Sequence, residues 1–355
     1  MPPVAIKNGL PIYITQKYFP SLNGFRGLAI SGVIISHLVR DTKVSQLGFL
    51  GTWGVDLFFV LSGFLITTLL IREKESTGRI SLSMFYTRRA LRILPAALLF
   101  LLVMLLFNRI YSLGISVAGF ITAALYVKNL PIRSAGNDWY LGHFWTLSAE
   151  EQYYLIVPSL LSSGYLLFKR VGVAVILCAY ISIILAFHVW KSFLPLHYFV
   201  AILGPEIPLM LGSLTSLLVC EEKISIPSFN SAWSFLLLFV SLLFESQLVP
   251  LVPHLLSGTL AAICFCVLIV SGIQPVNSTF YSFTNNRAIC FIGVLSYSLY
   301  IWQQIFTVNT FMFSSPHSAE LNTLINLLAL FLFSAASYYG FERYFLRVKS
   351  HFSRA

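Results

Sequence analysis

Long apolar runs recur along the whole chain and constrain its fold more than any other feature. Eleven segments qualify, and they lie near residues 22–39, 48–71, 91–107, 110–130, 149–168, 171–190, 199–219, 231–249, 251–272, 289–309 and 321–340. Most are close to the ~20 residues that a helix needs to cross a bilayer. They lack the strict alternation of apolar and polar residues that marks the strands of a membrane barrel. The pattern predicts an all-α fold, a polytopic bundle of transmembrane helices.

Charged residues make up only 10% of the chain, whereas soluble domains average about 25%. We therefore expect one membrane domain over 1–355, with a core of 20–345, a cytoplasmic tail of 346–355 and no fused extracytoplasmic domain. The net charge is +10, but no basic face interleaved with aromatic residues suggests binding of nucleic acid. The cysteines show neither disulfide nor metal-ligand spacing, so we expect no metal site.

Basic residues predict the orientation, because Lys and Arg gather in cytoplasmic loops. They concentrate in the linker between Arg72 and Arg92 and in the tail after Gly340. Two segments precede that linker, so both termini are expected in the cytoplasm and the number of crossings must be even. The segments 91–107 and 110–130 are therefore expected to make one net crossing, one of them being tilted, broken or re-entrant. About ten membrane-spanning helices result.

Two ionisable residues, Arg26 and His37, lie in the first apolar segment. Eleven helical steps place them about 20° apart around the helix and about 16 Å apart along it. Ionisable groups are costly in lipid and commonly mark a functional interior. His37 could take a proton from a hydroxyl nucleophile. A histidine hydrogen-bonded within the bundle, or exposed at the interface, would fit the position as well.

Asp56 is the only charged residue between Lys43 and Arg72. On the expected topology it enters the second segment from the same side as His37. It could orient that histidine or change its proton affinity, and it could equally cap the start of a helix. The glycines around Asp56 would let helices approach closely.

The third segment begins with a basic motif that includes Arg89 and Arg92. Residues three apart share a helix face, and arginine forks bind phosphate in bidentate fashion. A phosphorylated cytosolic ligand could dock at this motif. Ordinary charge that sets membrane topology would explain the same residues.

Two further segments combine polar and aromatic side chains. Glu150 and Glu151 are adjacent at the start of an apolar run, so their side chains point about 100° apart and one should face inward. Alternatively, Thr146 or Ser148 caps that helix and the two acids occupy its first turn. The tyrosines and glutamines of 295–304 could line a polar path or form an interfacial aromatic belt.

Five ordered motifs resemble those of the acyltransferase-3 family of integral membrane O-acyltransferases. They are Leu-Asn-Gly-Phe-Arg-Gly-Leu from Leu22 with the spacing from Arg26 to His37, Gly-Val-Asp-Leu-Phe-Phe-Val-Leu-Ser-Gly-Phe-Leu from Gly54, Arg-Arg-x-x-Arg-Ile-x-Pro from Arg88, Trp-x-Leu-Ser-x-Glu-Glu-Gln-x-Tyr from Trp145, and Ser-Tyr-Ser-Leu-Tyr-x-Trp from Ser296. Each motif alone is weak, but the ordered set is specific.

The resemblance implies transfer of an acyl group, usually acetyl, from cytosolic acyl-CoA to a hydroxyl of an acceptor. Acetyl-CoA would then be a donor substrate, with no permanently bound cofactor. Common acceptors in the family are extracytoplasmic bacterial glycans such as lipopolysaccharide O-antigen, exopolysaccharide or peptidoglycan, and some relatives modify small molecules or lipid-linked sugars. The resemblance also implies the bacterial inner membrane, and it leaves the oligomeric state open.

The resemblance implies roles for His37, Arg26, Arg89, Arg92, Glu150 and Glu151, and our mechanistic hypothesis adds the other residues named below. His37 would be the central catalytic residue, with Arg26 required beside it, and either Asp56, Glu150 or Glu151 would assist. The phosphates of the donor would be held by Arg88, Arg89 and Arg92. Four aromatic residues are expected to contact the substrates: Trp145, Tyr297, Tyr300 and Trp302. His37 could deprotonate the acceptor directly, or it could carry the acyl group as a covalent intermediate.

Two departures from the family pattern stand out. Gln303 follows Trp302 where the family usually has His, which puts an essential titrating role at this position in doubt. Tyr344 replaces a common Pro and should affect only helix termination. Two other functions fit the sequence less fully: a proton-coupled transporter or flippase with a relay through Arg26, His37 and Asp56, and an inactive scaffold or sensor, for which Gln303 is the only hint.

Overall fold

The computed structural model describes residues 6–7, 10–11, 14, 16, 19–40, 42–130, 139–167, 182, 206–221, 230–248, 254–274, 277–307 and 319–352. Apart from one antiparallel pair of two-residue strands, β1 (Ile6–Lys7) and β2 (Leu10–Pro11), its regular elements are helices. The predicted all-α class is confirmed. The predicted segment 171–190, apart from residue 182, and the first part of 199–219 lie outside the described residues.

The described helices follow the predicted apolar segments closely. They are α1 (Pro20–Leu38), α2 (Phe49–Thr77), α3 (Leu82–Tyr111), α4 (Val117–Ala124), α5 (Phe144–Leu167), α6 (Glu206–Cys220), α7 (Ser231–Glu245), α8 (His254–Gly272), α9 (Thr279–Thr284), α10 (Arg287–Val294), α11 (Ser296–Phe306), α12 (Ala319–Ser337) and α13 (Arg343–Ser350). Short 3-10 turns cover Ser45–Gly48 and Trp139–Leu141, and a π-helical turn at Tyr338–Glu342 joins α12 to α13.

Within the described ranges, three helical stretches are long and apolar enough to cross a membrane: Ser45–Thr77, Leu82–Tyr111 and Asn322–Ser350. Helices α10 and α11 would make a fourth if they are counted together, although they meet at an angle of 73°. The predicted segment 289–309 is therefore broken rather than straight. The count of ten spans and the orientation in the membrane stay predictions.

The segments 91–107 and 110–130 form one long helix and one short helix. Helix α3 has 30 residues and runs through to Tyr111, whereas α4 has eight. Eight residues rise only about 12 Å, much less than the ~30 Å thickness of the hydrocarbon core. Of this pair, only α3 can cross. Its Leu98, Leu102 and Leu106 are more than half exposed, as expected of a helix face covered by lipid.

Helix α2 packs most closely against α6 and α1. A Cβ atom on Gly63 would lie 1.9 Å from the carbonyl oxygen of Leu209, and one on Gly54 would lie 2.4 Å from that of Ala29. Neither position can hold a side chain unless the helices move apart. The prediction that glycines of this segment let helices approach closely is confirmed.

Three segments distant in sequence meet at one end of the bundle, which we call the basic end. A guanidinium nitrogen of Arg72 donates to the carbonyl oxygen of Gln16 at 3.0 Å, which fixes the N-terminal segment there. Arg88 donates to the Phe352 carbonyl oxygen at 3.0 Å and to Glu73 at 2.9 Å, which joins the C-terminal tail to the end of α2 and the start of α3. The two basic segments found in the sequence thus lie on the same side of the bundle.

Candidate active site

An interior cavity of about 80 Å³, here called the inner cavity, lies among α1, α2, α3, α5 and α11. Its apolar walls include Val55, Phe58 and Tyr297, which pack against both hydrophobic clusters of the core, so the cavity lies where these clusters meet. Six of the residues predicted for the site line it: Arg26, Arg89, Arg92, Glu150, Tyr297 and Tyr300.

A larger cavity of about 560 Å³, here called the basic cavity, lies at the basic end. Its walls carry six cationic side chains, Arg26, Arg72, Arg88, Arg89, Arg92 and Lys349, and one acidic side chain, Glu73. Arg26, Arg89 and Arg92 line both cavities. These three arginines therefore form the boundary between the basic cavity and the interior of the bundle.

None of the three boundary arginines forms an ion pair in the described structure, and the carboxylate that acts on Arg26 and Arg92 is that of Glu150 in the wall of the same cavity. The one ion pair within the described ranges joins Arg88 to Glu73 at 2.9 Å. The guanidinium of Arg89 instead lies 4.0 Å from the ring centre of Tyr154, a cation–π contact. Arg26 and Arg92 repel each other. One carboxylate cannot balance three guanidinium groups, and buried charge is costly without a counter-charge, so this arrangement favours binding of an anionic ligand.

Glu150 is the acidic residue that faces the inner cavity. Its carboxylate accepts hydrogen bonds from the hydroxyl groups of Ser62 and Tyr154. Its neighbour Glu151 is not among the residues that line the cavity, in agreement with the expectation that only one of the two acids faces inward. The alternative that Thr146 or Ser148 caps the helix is wrong, because α5 begins earlier, at Phe144.

The partner of His37 is Gln303. The two side chains meet at 2.5 Å between Nδ1 of the histidine and Oε1 of the glutamine. With the amide oriented in this way, Nδ1 carries a proton and donates, which leaves Nε2 able to accept one. The imidazole ring also contacts Trp139 edge-on, with centroids 5.3 Å apart. The sequence identified position 303 only as a departure from the family pattern, not as the partner of His37.

A second histidine repeats this arrangement and was missed in the sequence. Nδ1 of His143 lies 2.5 Å from Oε1 of Gln304, the residue next to Gln303. His143 is buried, and within the described structure its Nε2 has no hydrogen-bond partner. Its ring contacts that of Tyr300 at 5.7 Å, and Tyr300 lines the inner cavity. The sequence signal that could have pointed to these two histidine contacts is the pair of adjacent glutamines, Gln303 and Gln304, in an apolar segment.

Asp56 does not meet His37. Its carboxyl group lies beside that of Glu245 on α7, since a Cβ atom on Gly258 would lie 3.3 Å from an oxygen of each. Val55 lines the inner cavity, and the next residue of a helix points about 100° away from it. The prediction that Asp56 orients His37 is therefore wrong in the described structure. Asp56 is also no helix cap, because α2 begins at Phe49.

The four aromatic residues predicted to contact substrate separate into two pairs. Tyr297 and Tyr300 line the inner cavity, and the Tyr297 hydroxyl donates to the Ile93 carbonyl oxygen at 2.8 Å. Trp302 is buried against the rings of Phe100 and Phe333, away from the cavity walls. Trp145 is 40% exposed and also lies outside those walls. The burial of this segment excludes an interfacial aromatic belt on α11.

Comparisons with known proteins agree with the motifs. The model of the family described as "Acyltransferase domain" matches residues 19–341. The O-acetyltransferase OatA of Staphylococcus aureus (strain NCTC 8325 / PS 47) is 39% identical over 154 residues, which are 41% of this chain and 25% of that protein. OatA of strain COL gives the same values. The chain thus spans about a quarter of these relatives' length, and no solved structure matches it.

Proposed function

The chain belongs to the acyltransferase-3 family, and on that premise we propose that it is an O-acyltransferase that uses acyl-CoA, with acetyl as the favoured acyl group. In the reaction, the acceptor hydroxyl oxygen forms an ester with the acyl carbon, the thioester bond breaks, and the hydroxyl proton ends on the CoA thiol. The observation that carries the proposal is the group of three arginines, none of them in an ion pair, where the two cavities meet.

The basic cavity fits the phosphates of the donor. Coenzyme A carries several negative charges at one end of a long, neutral pantetheine arm. Arginine forks in a confined, partly dry site bind phosphate oxygens strongly. The arm would pass Arg26, Arg89 and Arg92 and enter the inner cavity, whose other wall residues are apolar or carry hydroxyl groups, apart from Glu150. This order brings the thioester into the bundle while the charged end stays at the basic end.

His37 would act at the far end of this path. It lies about 16 Å along α1 from Arg26, and its partner Gln303 is followed by Gln304, which contacts His143 beside Tyr300 in the wall of the inner cavity. Nε2 of His37 would take the proton of the acceptor hydroxyl. Direct attack of the hydroxyl on the thioester and transfer through an acyl-His37 intermediate both use the same nitrogen.

The acceptor we propose is the hydroxyl of an extracytoplasmic or lipid-linked glycan, such as lipopolysaccharide O-antigen or exopolysaccharide, at a bacterial inner membrane. The relatives named O-acetyltransferase support a hydroxyl acceptor, whereas the glycan and the inner membrane come from the family resemblance alone. The glycan would approach from the side opposite the basic end. His37 is in the last turn of α1, whereas Arg26, nearer the start of α1, lines the basic cavity.

The structure gives no support to a proton-coupled transporter. That alternative required a relay through Arg26, His37 and Asp56. In the described structure His37 pairs with Gln303, Asp56 pairs with Glu245, and Arg26 lies with the other arginines around the cavities. These contacts separate the three groups of the supposed relay.

The test is transfer of labelled acetyl groups. Membranes containing wild type, His37→Ala or the control His351→Ala, which changes an exposed histidine, receive acetyl-CoA labelled in the acetyl group together with cell-envelope glycans. We expect label in an alkali-labile ester with wild type and His351→Ala only. Substantial transfer by His37→Ala would remove His37 from the mechanism, and no transfer by wild type would count against the proposed donor or acceptor.

A further inference from the structure

We propose that helix α13 forms a wall of the donor site and that Lys349, together with Arg72, binds a third phosphate, the one on the ribose 3′ oxygen of CoA. This inference rests on the proposed function, because it assigns parts of the same donor to parts of the basic cavity. It predicts that the protein distinguishes CoA from an otherwise identical carrier that lacks the 3′-phosphate.

The cationic residues of the basic cavity fall into two sets. Arg26, Arg89 and Arg92 also line the inner cavity, whereas Arg72, Arg88 and Lys349 line the basic cavity alone. The second set is therefore the more remote from the interior of the bundle. Two groups of positive charge at different distances from the inner cavity suit a ligand with two separate groups of negative charge.

The covalent order of CoA matches this arrangement. The diphosphate directly follows the pantetheine arm, and the 3′-phosphate lies further on, on the ribose. If the arm occupies the inner cavity, the diphosphate lies at the arginines that form the boundary. The 3′-phosphate then lies in the outer part of the basic cavity, with Arg72 and Lys349.

Two nitrogens of Arg88 are already engaged, whereas Arg72 uses one, towards the carbonyl oxygen of Gln16, which leaves Lys349 and Arg72 as the principal donors in the outer part. One nitrogen of Arg88 donates to Glu73 at 2.9 Å and another donates to the carbonyl oxygen of Phe352 at 3.0 Å. The second bond fixes the end of the chain just after α13. Arg88 therefore positions the helix that carries Lys349 and neutralises the one acidic side chain of the cavity wall.

The start of α13 is fixed as well. Glu342, in the π-helical turn before it, accepts hydrogen bonds from Ser298 at 2.7 Å and from Ser337 at 2.9 Å. With both ends held, Lys349 points into the cavity although Arg88, Arg89, Arg92 and Arg26 repel its charge. A bound phosphate between these cations turns the repulsion into attraction. Ligand binding and docking of α13 should therefore stabilise each other.

The experiment measures the Kd of CoA and of dephospho-CoA, which lacks the 3′-phosphate, for the full-length protein in lipid nanodiscs by calorimetry. The variant is Lys349→Gln. Its matched control is Arg347→Gln, which removes one positive charge from an exposed position of the same helix outside the cavity walls. Lys349→Arg keeps the charge and tests for rescue.

We expect wild type to bind CoA about tenfold or more tightly than dephospho-CoA. This is the gain in affinity that one or more charge-assisted hydrogen bonds to the 3′-phosphate would give. Lys349→Gln should raise the Kd of CoA about tenfold and change the Kd of dephospho-CoA by no more than about twofold. Arg347→Gln and Lys349→Arg should keep the preference of wild type. Arg72→Gln should reproduce the selective loss, which keeps the proposal testable if Lys349→Gln fails to fold.

If Lys349→Gln loses affinity equally for CoA and dephospho-CoA, or for neither, the inference is overturned. Lys349 would then act through general charge or through the fold, or would make no contact with the ligand. Such results leave the proposed function standing as long as wild type binds CoA. Absence of CoA binding by wild type would instead overturn the proposed donor itself. The two failures are thus distinguishable in one set of titrations.

Discussion

The imidazole Nδ1 of His37 lies 2.5 Å from the side-chain oxygen of Gln303, across 266 positions of sequence. The resemblance to the family makes His the usual residue at position 303, so this chain has a neutral amide where a titratable side chain is usual. The hydrogen bond can still fix the tautomer and the ring orientation of His37. Gln303 is therefore a positioning residue, and the departure from the family pattern need not inactivate the protein.

Replacing Gln303 should impair turnover and leave donor binding intact. Gln303→Leu removes the hydrogen bond to His37, and we expect the kcat of acetyl transfer to fall about 10- to 100-fold, in the range of a displaced general base. The KM for acetyl-CoA should stay within about twofold, because position 303 lies away from the cavities that would hold the donor. Gln303→His should recover activity. A raised KM with unchanged kcat would contradict a positioning role.

The arginines at the boundary of the two cavities should determine donor affinity. Arg92→Gln removes a guanidinium that lines both cavities, and we expect the KM for acetyl-CoA to rise about 10- to 100-fold through loss of charge-assisted hydrogen bonds. Arg109→Gln, at the exposed end of the same helix, serves as the control and should leave the KM unchanged. Equal effects of both changes would exclude a specific phosphate contact.

Asp56 should be dispensable for the chemistry. Asp56→Asn keeps a polar side chain of the same size beside Glu245 and removes the juxtaposition of two carboxyl groups. We expect acetyl transfer to stay within about threefold of wild type, since the pair is separate from His37 and effects of separate sites are nearly independent. Loss of transfer as complete as that of His37→Ala would show that Asp56 acts in the reaction after all.

Gly63 should be essential for packing. A methyl group there would lie 1.9 Å from the carbonyl oxygen of Leu209, so Gly63→Ala must push α2 and α6 apart. We expect destabilisation of about 1–3 kcal/mol, the usual range for an overpacked core, seen as a lower Tm in detergent. Gly48→Ala is the matched control, because a Cβ atom there meets no atom within 4 Å. An unchanged Tm for Gly63→Ala would mean that this interface adapts freely.

The sequence by itself determined the class of fold and most helix positions. Apolar runs of about twenty residues have few alternatives to helices in a membrane, because backbone groups must be satisfied within each segment. The predicted segments 22–39 and 231–249 therefore lie close to the observed Pro20–Leu38 and Ser231–Glu245. The shared face of Arg89 and Arg92 was also predictable, since it follows from the helical repeat alone.

The tertiary structure alone decided which side chains meet. Asp56 was predicted beside His37 from its depth along the helix, but the angle around the α2 axis directs it to Glu245. His37 meets Gln303, and Lys349 reaches the arginines of α3, only because α11 and α13 pack where they do. The periodicity of one helix fixes which residues share its face, whereas the face that each neighbouring helix presents depends on the packing of the whole bundle.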